Sequence, residues 1–112
     1  MIPPSSSTLV EATDYTFTAL ALLPSQKVPV VVMCYTSGCA YCAAAEPVFA
    51  KLIASREGRV RGVKVDILAN PLVAQGYALA GIPTFVAFRH TVVVRRQIGA
   101  QHLERFLARL GG

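Results

Sequence analysis

Apolar residues recur along this chain in two periods, one of two residues and one of three to four. Residues 28–35 form a continuous, β-branched apolar run of strand length, the pattern of a strand buried on both faces. Residues 62–67 alternate, with Val63, Val65 and Ile67 on one face and Lys64 and Asp66 on the other, which predicts a strand. Residues 84–88 and 92–98 are two further apolar strands. The tight Arg89-His90-Thr91 connection makes them an antiparallel hairpin. Thr8-Leu9-Val10 is a short candidate strand. Between these runs the period lengthens. Cys42, Ala45, Val48, Phe49, Leu52 and Ile53 share one helix face, and Pro47 is expected to kink that helix. Leu103, Phe106, Leu107 and Leu110 form the stripe of a last helix, with Arg105 and Arg109 toward its C-terminal end and Gly111 after it. Asp14, in N-cap position ahead of Phe17, Leu20, Ala21 and Leu23, predicts a helix ended by Pro24. Asn70-Pro71 predicts another, capped by Asn70 and running to about Ala80 before Gly81.

The predicted order is strand, helix, strand, helix, strand, helix, strand, strand, helix. Helices between strands imply crossover connections, so the reading is an α/β domain: a mixed sheet with helices on both faces. At 112 residues the chain fits one domain, expected to span residues 8–112 behind a flexible Pro/Ser tail at 1–7. With 54% hydrophobic and 15% charged residues, it is not a disordered chain.

The net charge of +5 admits anionic partners. Eight of the eleven basic residues are arginines scattered between Arg56 and Arg109 with no dense run, the pattern of a solubilising surface, and no nucleic-acid partner is expected. The run at 28–35 is interrupted by Pro29 and far short of the roughly 20 residues of a spanning helix, so no membrane segment is expected. The N-terminus lacks a basic start and an apolar stretch. A cytoplasmic protein is the first reading, and an exported one trimmed of its leader is the alternative.

The chemistry concentrates at Cys39-Ala40-Tyr41-Cys42, a C-x-x-C opening a helix directly after a buried strand. A thiolate is the nucleophile in disulfide exchange, and a helix N-terminus favours negative charge on the first cysteine. The second lies one turn on, where it can close a disulfide and release a bound product. Two other readings stay open. The pair is inert, or Cys34, Cys39 and Cys42, spaced C-x4-C-x2-C, hold a metal cluster with His90 or His102 as fourth ligand. Farther on, Gly81-Ile82-Pro83-Thr84 offers a candidate cis peptide at a strand start, where a trans proline is also tolerated.

Taken together, Cys39 and Cys42, Pro47, Lys64-Val65-Asp66, Asn70-Pro71, Tyr77, Ile82-Pro83-Thr84 and Gly99-Ala100 resemble the thioredoxin family, over about residues 30–110 and without a gap from 39 to 99. The resemblance implies a thioredoxin-like fold with a central mixed four- or five-stranded sheet and about four helices. It implies that Cys39 is the exposed nucleophile and Cys42 the resolving thiol. Pro83 would be cis beside them, the Ile82 backbone would pair with an extended substrate, and Gly99 would line the same groove. Pro47 and Lys64 would support the site. The implied function is thiol–disulfide exchange that reduces protein disulfides. It would use the Cys39–Cys42 disulfide and no cofactor, in a monomer fed by an upstream electron donor. An exported oxidase or isomerase, or a redox-inactive binding module, is the alternative.

The chain departs from the family at several positions. Gly38 stands where the family has Trp, and Ala40-Tyr41 stands for Gly-Pro. Met33 replaces a buried Asp, and Cys34 replaces the aromatic after it. Lys64 is therefore expected to lack its partner. Tyr41 either tunes partner fit and potential or is a plain surface aromatic. Cys34 reads as a small core residue.

Overall fold

The computed structural model describes residues 9–79 and 81–110. The expected tail at 1–7, Thr8 of the first strand, and Ala80 and Gly111 at the ends of two helices lie outside the described residues. The strands are β1 (Leu9–Glu11), β2 (Val30–Tyr35), β3 (Arg61–Asp66), β4 (Thr84–Arg89) and β5 (Val92–Ile98). The helices are α1 (Ala40–Ser55), α2 (Pro71–Gly76) and α3 (Leu103–Ala108). The strands form one mixed sheet in the order β1-β3-β2-β4-β5. β1 and β2 each pair with β3 in parallel, while β4 pairs antiparallel with both β2 and β5.

β2 lies at the centre and is buried from Val30 to Cys34, which is why its sequence is a continuous apolar run and not an alternating one. Its side chains still alternate between two cores. Val31 and Met33 pack with Phe49, Phe85 and Phe106 under α1 and α3. Val30, Val32 and Cys34 pack with Val63, Val65, Phe88 and Phe17 on the opposite face. Phe49 meets Phe85 edge-on at 5.2 Å, and Phe88 meets Tyr77 edge-on at 5.2 Å, geometries that aromatic quadrupoles favour. α1 runs unbroken through Pro47.

The first predicted helix takes a different form. Residues Thr18–Leu22 make a π-helical turn, and Pro24 begins a 3-10 turn (Pro24–Gln26) instead of simply ending a helix. Asp14 does not cap this segment. Its carboxylate accepts from the N–H groups of Leu72 (3.2 Å) and Val73 (2.9 Å), so it caps α2. Asn70 in turn does not cap α2. Its Oδ1 accepts from the Asp14 N–H at 2.9 Å, and its Nδ2 donates to the Asp66 carbonyl at 2.9 Å. Asp14 thus caps the helix expected to be capped by Asn70, while Asn70 ties the Asp14 turn to the end of β3 and no side chain caps Thr18–Leu22. α2 is also shorter than predicted. Ala78 takes φ 54°, which turns the chain out of the helix and brings Leu79 into the second core.

The β4–β5 connection is a two-residue turn, His90-Thr91, with φ values of 53° and 70° that match the strand twist. Buried Ser25 holds it: its carbonyl accepts from the His90 N–H and its Oγ from the Thr91 N–H, both at 2.8 Å.

Candidate active site

Register brings the site together. Cys34 on β2 pairs with Thr84 on β4, and Thr84 pairs with Ile98 on β5. The chain therefore leaves β2, enters β4 and leaves β5 at one end of the sheet. That end gathers the loop before α1, Pro83 and Gly99.

Gly38, at φ 79°, makes the turn into α1. Cys39 is the N-cap of α1, and its Sγ accepts from the Cys42 N–H at 3.1 Å. This hydrogen bond points one of the helix's four free N–H groups at the sulfur. Cys39 is half-buried and reachable, whereas Cys42 is only 3% exposed. All three cysteines are free thiols. Burial pushes the Cys42 thiol up to about 11, helped by its hydrogen bond to Cys39. The two sulfurs are thus unequal, one presented to solvent at a helix start and the other held protonated beneath it.

The Ile82–Pro83 peptide is cis, the form the family resemblance implies of the two the residues left open. The Thr84 hydroxyl donates to the Gly81 carbonyl, and the Gly99 N–H donates to the Pro83 carbonyl at 2.7 Å. Tyr41, Ile82, Pro83 and Gly99 line one groove together with Val48, Ala100 and Gln101. Among the described residues no charged side chain lines it. Tyr41 is 81% exposed at its rim. Gly99 has φ 85° with open space where a Cβ would sit, so its backbone conformation, not crowding, favours glycine here.

Lys64 and Pro47 lie apart from that groove, along a cleft shared with Glu11 and Glu46. Lys64 lacks the family's buried Asp, since Met33 lies opposite it, but two other carboxylates take that place. Its Nζ lies 2.8 Å from Glu46 Oε2 and 3.7 Å from Glu11 Oε1, and 5.6 Å from the centre of the Tyr35 ring. Burial alone pulls the Lys64 ammonium down, but the Glu46 hydrogen bond and the two carboxylate charges outweigh it and the net shift is upward. Glu46 was not singled out from the sequence. The available signal was its place four residues after Cys42, one helical turn on, next to Pro47. Cys34 faces the core opposite to Cys42, where burial pushes its thiol up to about 12 against a smaller lowering by Arg96. The three-cysteine cluster is therefore not assembled, and among the described residues no three His, Cys, Asp or Glu side chains gather as metal ligands.

A family model described as Thioredoxin matches residues 8–111. The chain belongs to the thioredoxin family. It is 36% identical over 95 residues to thioredoxin C-2 of Corynebacterium nephridii, covering 85% of this chain and 86% of that protein. It is 33% identical over 94 residues to thioredoxin 1 of a Nostoc species, covering 84% and 86%. With the thioredoxin of Mycobacterium bovis it shares 30% identity over 101 residues, covering 90% and 85%. This is a family of thiol–disulfide oxidoreductases built on the mixed five-stranded sheet found here. Within this thioredoxin fold Met33 is fully buried, pairs with Lys64 across β2–β3, and shares its core cluster with Cys42. No helix among the described residues is long and apolar enough to cross a membrane.

Proposed function

We propose that this protein reduces disulfide bonds in other proteins through Cys39 and Cys42. The observation that carries the proposal is the inequality of the two sulfurs: Cys39 is reachable and hydrogen-bonded at the N-cap of α1, and Cys42 is buried and protonated behind it. The Cys39 thiolate attacks one sulfur of a substrate disulfide. A Cys39–substrate bond forms, the substrate S–S bond breaks, and the departing sulfur leaves as a thiolate that takes up a proton. Cys42 then gives up its proton and attacks Cys39 Sγ. The Cys39–Cys42 bond forms and the second substrate sulfur departs. Two electrons have passed to the substrate, and the protein is left as a disulfide for an upstream dithiol to reduce. The cysteine pair itself carries the electrons, so the reaction calls for no cofactor.

The groove supplies the substrate contact. An extended segment adds along the Ile82 backbone, reading main chain more than side chain, with Tyr41 at the rim and Gly99 keeping the far wall low. The uncharged lining suits apolar residues flanking the target disulfide.

Trapping tests the assignment. Cys39→Ser is expected to abolish insulin reduction, and Cys42→Ser to accumulate a mixed disulfide on Cys39, because attack survives while resolution does not. Partners trapped through Cys42 in the Cys39→Ser protein would overturn the order of the two thiols.

A further inference from the structure

The far wall of the groove is a weakly built segment. Gly99 and His102 both take positive φ values, 85° and 58°, and α3 starts at His102 without a side-chain cap. Such a stretch has few restraints of its own. Among the described residues, the side-chain hydrogen bonds that hold it come from one residue. The Gln97 amide Nε2 donates to the Gly99 carbonyl at 3.0 Å and to the Gln101 carbonyl at 2.5 Å. Gly99 also donates its N–H to the Pro83 carbonyl at 2.7 Å. Hydrogen bonds therefore join the Gln97 amide to Gly99, and Gly99 to the Pro83 carbonyl.

Both amide hydrogens of Gln97 are spent on backbone carbonyls, and Gln97 is anchored in β5, opposite Phe85 of β4. We propose that Gln97 is a positioning residue for protein substrates: it fixes the Gly99–Gln101 wall against the Pro83 loop, so that the groove meets an extended chain already formed. The role acts through the wall and leaves the cysteines untouched. It separates substrates by size, because a small disulfide that reaches Cys39 without lying along the groove does not need the wall. The proposal rests on the groove being the substrate site of a reductase.

The test compares insulin with a small aromatic disulfide, dithiobis-nitrobenzoate, on wild type and three variants. Gln97→Ala is expected to lower kcat/KM for insulin about tenfold more than for the small disulfide, mainly through KM, the scale of a modest misplacement at a binding wall. Gln97→Glu has the same reach but no donors, and is expected to behave like Gln97→Ala. Gln97→Lys keeps donors at similar reach and is expected to recover most of the insulin activity. Equal losses on the two substrates, or no difference between Gln97→Lys and Gln97→Ala, would overturn the positioning role. A wild-type protein that reduces neither substrate would instead overturn the reductase reading, and the inference with it.

Discussion

Resolution by Cys42 requires the loss of a proton that the native chain holds up to about pH 11. Met33 packs in the same buried cluster, and its thioether cannot take up that proton. The nearest carboxylate along the helix, Glu46, is already engaged by Lys64 at 2.8 Å. Where resolution limits turnover, disulfide reduction is therefore expected to rise with pH from 7 toward about 11, following the Cys42 thiolate. Met33→Asp places a proton acceptor in the core and is expected to raise turnover at neutral pH about tenfold, below the usual gain of a fully positioned base. It is also expected to cost stability, since a carboxylate replaces a buried thioether. The pH–rate profiles of both forms check this. Superimposable profiles from a folded variant would leave Met33 as packing alone. Cys39 and Cys42 are legible in the sequence because they sit in a local C-x-x-C motif, and the Met33 departure because the family resemblance aligns it with a buried Asp. The Lys64–Glu46 pair is not, because it joins β3 to α1 and no period along the chain records a contact across elements.

The same limit shows in the elements. Strand runs and helix stripes were readable, since burial on one face or two leaves a direct imprint on the residue pattern. β5, with the bounds 92–98 that its pattern predicts, is the plainest case. The caps were misassigned. Asp14 and Asn70 are capping residue types in capping positions, but residue type does not say which helix is served: Asp14 caps α2, and Asn70 caps neither helix and holds the Asp14 backbone. Asp14→Ala is expected to destabilise the protein by about 1 kcal/mol through the freed N–H groups of Leu72 and Val73, and Asp14→Asn to keep most of the cap. Urea unfolding checks both. A full-strength Asp14→Ala protein would mean that water satisfies those N–H groups equally well. The π-helical turn at Thr18–Leu22 likewise escaped the sequence reading, because Phe17 and Ala21 face the core as they would from an α-helix.

The whole molecule is two cores on one sheet, and β2 belongs to both. While the redox pair borders one core, Cys34 points into the other. Its folded pKa is raised from 9.0 to about 12, mainly by burial, so the native chain holds this proton where the unfolded chain has lost it. That contribution is complete below about pH 9 and is lost as pH climbs toward 12. Thermal midpoints measured from pH 8 upward are therefore expected to fall beyond pH 9, and to fall less steeply for Cys34→Ala. Parallel curves would remove Cys34 from the alkaline response. The sheet order, the register that brings Pro83 and Gly99 to the cysteine loop, and the family all agree with a thiol–disulfide oxidoreductase, and the proposed direction is that its dithiol gives electrons away. The reduction potential of the Cys39–Cys42 couple, measured against a glutathione or dithiothreitol series, tests this most directly. The expected value lies at the reducing end of the family's range, about −270 mV, and a couple near about −120 mV, or none that titrates, would contradict a reductase.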